Sequence, residues 1–453
     1  MRQGTSADYA DRPLGDQEHM PLRTSIRTTP DDSQALPAAE AGPGTVRVLV
    51  ITQDRSVPSD RRVWNEILTL RSVGYEVVAI SPQGNGRDRE LFERRDGVDI
   101  HRYVQPPASG STMSYVREYA GAVWHIRAIA RRVAGDRGFD IVQASNPPDF
   151  LLLAVHFLKR SGARMIFDHH DLAPELYLAR WGSNRLVYRL VLGLEWVCYR
   201  LADLVLATNE SYKAVAITRG GMRSEDVFVV GSGPDLTTFT PVPADPALRR
   251  GRRHLISFIG EMAPQDGLDQ ALRALSRLGE SRDDWYAMFA GDGSALEDLR
   301  RLTTRLGLDD RVEFVGWLQG ESLRRLLCSS DVCLVPDPKT AFSDASTLVK
   351  IGEYMAMSRS IAAYDLTESR LTAGDAALYA RPNDPDDLAR AIAELLDDPD
   401  RRAEMGRIGR ERVEQMLSWE RASAKFLAAY ATALERQPSQ WARSAAPRSR
   451  LAN

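Results

Sequence analysis

The chain has 453 residues, 43% of them hydrophobic and 27% charged, enough to bury a core and to build about three average domains or two large ones. Its 59 Lys and Arg against 62 Asp and Glu leave a formal net charge of -3. That excludes a global attraction to nucleic acid or anionic membrane, so no nucleic-acid partner is expected and a membrane would have to meet a local patch.

In chain order, residues 1–44 carry Pro13, Pro21, Pro30, Pro37 and Pro43 among small and charged residues without apolar periodicity, which predicts a disordered tail. The opening lacks the apolar core of a signal peptide. The most apolar long stretch, 186–206, is interrupted by Arg189, Glu195 and Arg200, so no segment is expected to span a bilayer. From residue 45 short β-branched runs alternate with amphipathic stretches: VRVLVI (46–51), a helix from about Asp60 to Ser72, EVVAI (76–80), VDIHRY (98–103) and a long helix from Tyr115 to Val133. DIVQAS (140–145), a helix to about Lys159, RMIFD (164–168), a helical stretch to Leu201, DLVLAT (203–208), a helix opened by Asn209 and VFVV (227–230) follow. A polar segment with Pro234, Pro241, Pro243 and Pro246 then ends in the basic run 249–253 and reads as a linker.

A second series begins at HLISFIG (254–260), with Leu268, Leu272, Leu275 and Leu278 at helical spacing behind it. It continues through WYAMFAGDGS (285–294), RVEFVG (311–316), a helix around Leu326, DVCLVP (331–336), a helix from about Ser346 to Met357, SIAAYD (360–365) and helices after Pro385 and Pro399. A last helix runs from Trp419 to Leu434. The fold class is therefore α/β, two doubly wound Rossmann-like domains facing across a cleft: a first domain over 45–235, a linker over 236–253, a second domain over 254–417, a closing helix over 418–436 and a tail over 437–453. Cys198, Cys328 and Cys333 lie in apolar runs without metal-ligand spacing, so neither zinc nor disulfides are expected and a cytoplasmic setting fits.

Ligands of such sheets bind beyond the carboxyl ends of the strands. After the first strand, Asp60, Arg61 and Arg62 lead into a helix, with Asp60 equally readable as its N-cap. After RMIFD, residues Asp168, His169, His170 and Asp171 crowd a strand end, and two adjacent histidines there argue against core filling. Gly291 and Gly293 at a βα turn would let a phosphate or sugar approach bare backbone, or simply make the turn. The strongest constellation is FSDASTLVKIGEYMAM (342–357): Ser346 and Thr347 at a helix start, with Lys350 opposing phosphate charge and Glu353, on the same face, accepting from a ribose diol. A plain surface Lys-Glu pair is the alternative. The stretches 115–137, with Arg117, Arg127, Arg131, Arg132 and Arg137 against Glu118 and Asp136, and 178–202, with four arginines against Glu195, have two readings. They are ordinary helices packed on the core, or basic faces for peripheral contact with the inner membrane.

Together DRRVWNE, FDHHDLAPELY, ATNESY, GSGPDLTTF, GEMAPQDGLDQAL, FAGDGS, VEFVGW, STLVKIGEYMA, PNDPDDLA and SWE, spread over about 46–434, resemble the retaining glycosyltransferases of family 4, which have the GT-B fold. The resemblance implies an acceptor-side first domain, a second domain that binds a nucleotide-diphosphate sugar, and a last helix that crosses back onto the first domain. It implies that Glu353 holds the donor ribose, that His170 lies by the transferred sugar, and that the loop 54–62 faces a lipid-linked or saccharide acceptor. The expected donor-binding set is Gly260, Gly291, Gly293, Gly316, Asp344, Ser346, Thr347, Lys350 and Glu353; Asp60, Arg61, Arg62 and Asp171 are expected on the acceptor side. No metal or cofactor is expected, and the MAPQDG turn resembles one in a bacterial subgroup, which suggests cell-surface polysaccharide or glycolipid synthesis. The departures are Ala345, where many relatives carry a Glu that contacts the donor sugar, Glu261 and Asp266 where they carry Arg and Lys, and Met357 to Ser360 in place of a small-Gly-Lys-Pro turn. They leave two further readings: a sugar-nucleotide-binding protein without turnover, and a GT-B epimerase or hydrolase.

Overall fold

The computed structural model describes residues 45–435 apart from 85, 106–111 and 183; the tails expected at 1–44 and 437–453 lie outside the described residues. The first lobe runs β1 (Arg47–Ile51), α1 (Arg61–Ser72), β2 (Glu76–Pro82), β3 (Phe92–Arg95), β4 (Val98–Tyr103), α2 (Thr112–Ala134), β5 (Ile141–Ser145), α3 (Leu151–Val155), α4 (Phe157–Arg160) and β6 (Arg164–His169). It continues with α5 (Ala173–Trp181), α6 (Arg185–Leu201), β7 (Leu204–Ala207), α7 (Glu210–Thr218) and β8 (Val227–Val229). The second runs β9 (His254–Ile259), α8 (Leu268–Gly279), β10 (Trp285–Ala290), α9 (Leu296–Arg305), β11 (Val312–Gly316), α10 (Gly320–Ser329), β12 (Val332–Val335), α11 (Ala341–Ala345), α12 (Val349–Ala356), β13 (Ile361–Tyr364), α13 (Thr367–Ala373), β14 (Ala377–Ala380), α14 (Pro385–Asp397) and α15 (Pro399–Arg412). The closing helix is α16 (Trp419–Glu435).

Among the described residues the first sheet has the order β3-β4-β2-β1-β5-β6-β7-β8 and the second β11-β10-β9-β12-β13-β14. Every pairing is parallel except β3 with β4. Two doubly wound α/β domains result. In each, the chain lays strands to one side of its first strand and then crosses to the other, so the switch points fall between β1 and β5 and between β9 and β12. Crevices open there at the carboxyl ends of the strands.

Parallel strands buried on both faces read as continuous apolar runs because helices cover both sides. One face of the first sheet sets Leu49, Ile51, Val142 and Phe167 beneath α2, α3 and α6. The other sets Val48, Val50, Ile141 and Ile166 against α1 and also against Phe426, Ala429, Tyr430 and Ala433 of α16. The last helix thus completes the first lobe's core, and the Trp419 indole donates to Thr69 Oγ1 at 3.1 Å. The crossing needs a glycine: a Cβ on Gly233 would stand 1.5 Å from the Leu417 carbonyl oxygen.

Several elements differ from the expectations. Strand β3 was not foreseen, because FERR is charged at three of four positions and pairs at the sheet edge without alternating toward a core. The helical stretch ending at Leu201 is two helices; Asn184 starts the second by accepting from the Leu186 and Val187 amides. The helix expected from Ser346 begins only at Val349 as α12; a separate short α11, capped by Thr340, precedes it, and the chain turns through Ser346 and Thr347 between them.

Candidate active site

The first lobe's switch point holds a buried polar cluster. Asp168, near the end of β6, lies opposite Ser145 of β5. Its carboxylate accepts from Ser145 Oγ at 2.8 Å, Gln143 Nε2 at 3.0 Å and Arg62 Nη2 at 3.2 Å, and lies 2.6 Å from His170 Nε2. Arg62, in the first turn of α1, also donates through Nη1 to the Val230 carbonyl at 3.0 Å and to Ser232 Oγ at 2.7 Å. Its Nε lies 2.9 Å from His170 Nε2 and 3.1 Å from Glu66 Oε1. Gln143 donates to Glu66 at 2.6 Å as well, and its own carbonyl accepts from the Tyr430 hydroxyl of α16 at 2.6 Å.

These distances sort the charges. Burial alone would raise the Asp168 carboxyl, but His170 and Arg62 outweigh it and hold the group well below the ordinary carboxylate range. Burial would lower His170, and Asp168 outweighs that, so the imidazole is held toward its cationic form. Glu66 is pushed up to about 8 by burial and by the Asp168 charge, against which Arg62 acts only in part. The cluster therefore favours an ionised Asp168 and shifts Glu66 toward its protonated form. The His170 loop is set by Asn146, whose Oδ1 accepts from the His170 amide at 2.6 Å and the Asp171 amide at 3.2 Å, while its Nδ2 donates to the Asp171 carbonyl at 2.6 Å.

The neighbouring histidines separate. His169 is buried, stacks on Phe167 at 5.1 Å, contacts the Tyr199 hydroxyl through Nδ1 at 3.0 Å, and is pushed down to about 3 by burial and by Arg219. It is a neutral core residue, which corrects the expectation that neither histidine fills the core. Asp171 is pushed up to about 6 by burial and by Asp54. Asp60 caps α1 by accepting from the Val63 amide at 3.1 Å. The capping alternative read from the sequence is thus what its side chain does in the structure.

The second lobe's switch point gathers Gly260, Asp266, Asp337 and Lys350. Lys350 is 9% exposed, donates to both oxygens of Asp337 at 2.9 and 3.0 Å, lies 3.9 Å from Asp266 and sits 4.8 Å over the Phe258 ring. Burial pushes Asp266 up to about 7, with Lys350 opposing and Asp337 reinforcing the shift. Lys350 is in place beside Gly260, where a Cβ would lie 3.6 Å from its Cε. Its charge is met by Asp337 in the structure. Gly291 and Gly293 serve the turn: a Cβ on Gly291 would stand 1.8 Å from the Gly260 carbonyl oxygen, and one on Gly293 2.5 Å from that of Met262. Gly316 accepts the Gly291 amide at 2.8 Å, so the ends of β9, β10 and β11 are stitched together.

Across the cleft, Glu353 is 7% exposed and meets Arg61 Nη1 at 3.2 Å; burial raises its carboxyl and Arg61 opposes that. Glu261 meets Arg180 at 3.6 Å and Arg55 at 3.8 Å. Ser346 and Thr347 do not open a helix toward an anion. They form lobe contacts instead, Ser346 Oγ lying 2.8 Å from the Tyr212 hydroxyl and Thr347 Oγ1 accepting from Asn209 Nδ2 at 2.9 Å. Asp344 is occupied in capping Thr367, from which it accepts the amide at 2.8 Å and the hydroxyl at 3.0 Å. In the structure each of these polar groups has a protein partner.

Glu66, Asp168 and His170 bring one ligand atom each within 4.8 Å of one another, which by distance alone suits a metal ion. The Arg62 guanidinium stands among all three, so the position of a cation is taken by a side chain.

Comparison with known proteins completes the picture. Residues 59–238 match Glycosyltransferase Family 4 and residues 253–398 match Glycosyl transferases group 1. An MMP alpha-(1->4)-mannosyltransferase from Mycolicibacterium hassiacum is 28% identical over 396 residues, 81% of this chain and 92% of the relative. A GDP-mannose-dependent monoacylated alpha-(1-6)-phosphatidylinositol monomannoside mannosyltransferase from Corynebacterium glutamicum is 30% identical over 199 residues, 42% of this chain and 52% of the relative. A sucrose-phosphate synthase structure from Thermosynechococcus elongatus superposes with a TM-score of 0.69 at 19% identity, covering 85% of this chain and 98% of that one. Two facing doubly wound lobes, each matched by half of one enzyme family, make this chain a member of glycosyltransferase family 4 with the GT-B fold, an enzyme that transfers a sugar from a nucleotide-sugar donor.

Proposed function

We propose that the chain transfers its sugar with retention of anomeric configuration to a hydroxyl of a lipid-linked or saccharide acceptor, in cytoplasmic synthesis of a bacterial cell-surface polysaccharide or glycolipid. The observation that carries the reading is Glu353: a buried carboxylate on the cleft wall, next to Lys350 on one helix face, with Arg61 of the opposite lobe as its partner at 3.2 Å. A ribose diol donates two hydrogen bonds to such a carboxylate and replaces Arg61 there. The guanidinium so released, with Arg55 and Arg180 nearby on Glu261, meets the diphosphate that Lys350 alone, neutralised by Asp337, does not balance. His170, fixed by Asn146 and Asp168, borders the transferred sugar, and Asp171 lies on the acceptor side. In the transfer the bond from the anomeric carbon to the diphosphate breaks, the acceptor oxygen bonds the same face, and the departing phosphate takes the acceptor proton. The lobes exclude water from that ion pair.

Nucleotide release from a panel of nucleotide sugars, with and without hydroxyl acceptors, tests the reading. Acceptor-dependent release with the anomeric configuration kept in the product supports it; release that no acceptor increases, or a product of inverted configuration, overturns it.

A further inference from the structure

Helix α6 has an apolar inner face and an outer face that is also apolar. Inside it buries Cys198 and Tyr199, and its one acid, Glu195, is buried against Arg219 at 2.6 Å. Outside, Leu186 is 77% exposed, Leu190 62% and Trp196 54%. Arg185, Arg189, Gly193 and Arg200 are exposed along the same side. A helix that only had to cover a core would carry polar residues there. Trp124 of α2 is 66% exposed in the same helical layer, α2 packing on α3 and α3 on α6.

We propose that this outer face docks on an anionic lipid bilayer and holds the mouth of the cleft at the membrane surface. Leucines and an indole suit the boundary between headgroups and acyl chains, and arginines beside them suit lipid phosphates. Arg200 lies 5.6 Å over the Trp196 ring, which keeps its charge beside the apolar stripe. A second copy of the chain is the poorer occupant: a two-fold contact sets this face on itself, and its exposed charges are arginines only. The location joins the face to the chemistry. Helix α5 starts three residues after His170, spans about 14 Å at 1.5 Å per residue, and reaches Glu261 of the other lobe through Arg180 at 3.6 Å. Helix α6 begins four residues beyond its end. A lipid-linked acceptor could therefore keep its chain in the bilayer while its hydroxyl enters at Asp171 and His170. That use of the face rests on the acceptor class proposed above, whereas docking itself is measured without turnover.

The test is sedimentation of the full chain with vesicles of phosphatidylcholine alone and of an equal mixture with phosphatidylglycerol. Three exposed arginines predict a preference for the mixture of at least about tenfold at low salt, falling steeply at high salt. The combined R185Q, R189Q and R200Q variant should lose the preference. The combined L186S, L190S and W196S variant should lose binding to either vesicle, and both should keep wild-type circular dichroism and nucleotide release with a soluble acceptor. Equal recovery of wild type in the supernatant of both vesicles overturns the proposal. So does undiminished binding by both variants, or light scattering that shows a dimer abolished by the serine variant in a protein that does not pellet. Pelleting of wild type without transfer to any lipid acceptor keeps the docking face and removes the acceptor class.

Discussion

Arg62 and Lys350 are the same problem solved twice. Each is a cation at a switch point, one per lobe, walled in by carboxylates. Arg62 divides its donors among Asp168, Ser232 and the Val230 carbonyl, with the His170 ring and Glu66 beside it. Its planar fork fixes each partner, and it cannot lose its proton. Lys350 has one ammonium on Asp337, a ring face below it and Asp266 at 3.9 Å, pushed up to about 7. A point charge on a flexible stem beside a carboxyl that burial shifts toward its protonated form can be re-partnered when a diphosphate arrives. The difference teaches that the first lobe holds a fixed frame for His170, and the second lobe an adjustable charge.

If that is right, replacing the fork should do the most damage. Arg62→Lys keeps the charge but loses the simultaneous contacts, so turnover should fall at least about a hundredfold, with the protein folded by circular dichroism. Turnover within about threefold of wild type would show that charge alone suffices. Asp168→Asn strands Arg62 and His170 and should lower unfolding stability by about 3 kcal/mol near pH 6. The sign of its pH dependence follows from linkage. The depressed Asp168 stabilises fully above its unfolded value of about 4 and ceases to as pH falls through its folded value. The raised His170 stabilises fully below about 6.5 and ceases to as pH rises through its folded value. The difference between wild type and variant should therefore be widest between about pH 4 and 6.5, measured by denaturant melts across that range.

The adjustable side should respond more mildly and in a divided way. Lys350→Ala should lower kcat and raise donor KM, each by about tenfold, because its contact strengthens as charge develops on the leaving group. Glu353→Gln should raise donor KM about tenfold with little change in kcat, since ribose contacts are equal before and during transfer. If both changes moved only KM, Lys350 would be a ground-state contact and the comparison would lose its second half.

Smaller again is the reach of α16. Tyr430→Phe removes the donor to Gln143 and leaves a buried carbonyl oxygen unsatisfied, at a cost of about 1 kcal/mol. Because Gln143 bridges Glu66 and Asp168, kcat should fall about threefold and its pH profile should shift. An unmoved profile with the stability loss present would reduce Tyr430 to packing.

How much of this could be seen in the sequence follows from how local each signal is. The two wound sheets were legible because strands buried on both faces leave runs such as HLISFI, and the shared helix face of Lys350 and Glu353 because they are three apart. The frame around His170 was not, because its parts come from α1, β5, β6 and α16 and meet only once β5 lies beside β6. A signal was available nonetheless. Gln143 and Ser145 are polar residues in a strand buried at all five positions, and Glu66 falls on the face of α1 that buries Val63, Ile67 and Leu70. Buried polar groups need partners, so those three should have been sought together. Ser346 and Thr347 misled because their hydroxyls fit a helix start, and no local pattern shows that Asn209 and Tyr212 of another lobe engage them.

The smallest expected effect is none at all, and it tests the fixed frame most directly. Glu66, Asp168 and His170 could hold a divalent ion only if Arg62 left, because the guanidinium and a metal would claim the same lone pairs. Mutual repulsion of two cations in a buried site adds to that exclusion. Dialysis against a chelator should therefore leave turnover unchanged, and added magnesium or manganese should not raise it. The same ions should bind Arg62→Ala, where the three ligands are released, with a shift in melting temperature that wild type does not show. Loss of wild-type activity in chelator, restored by either ion, would mean that a metal acts elsewhere in the cleft. A melting shift in wild type equal to that of the variant would mean that Arg62 does not own the position.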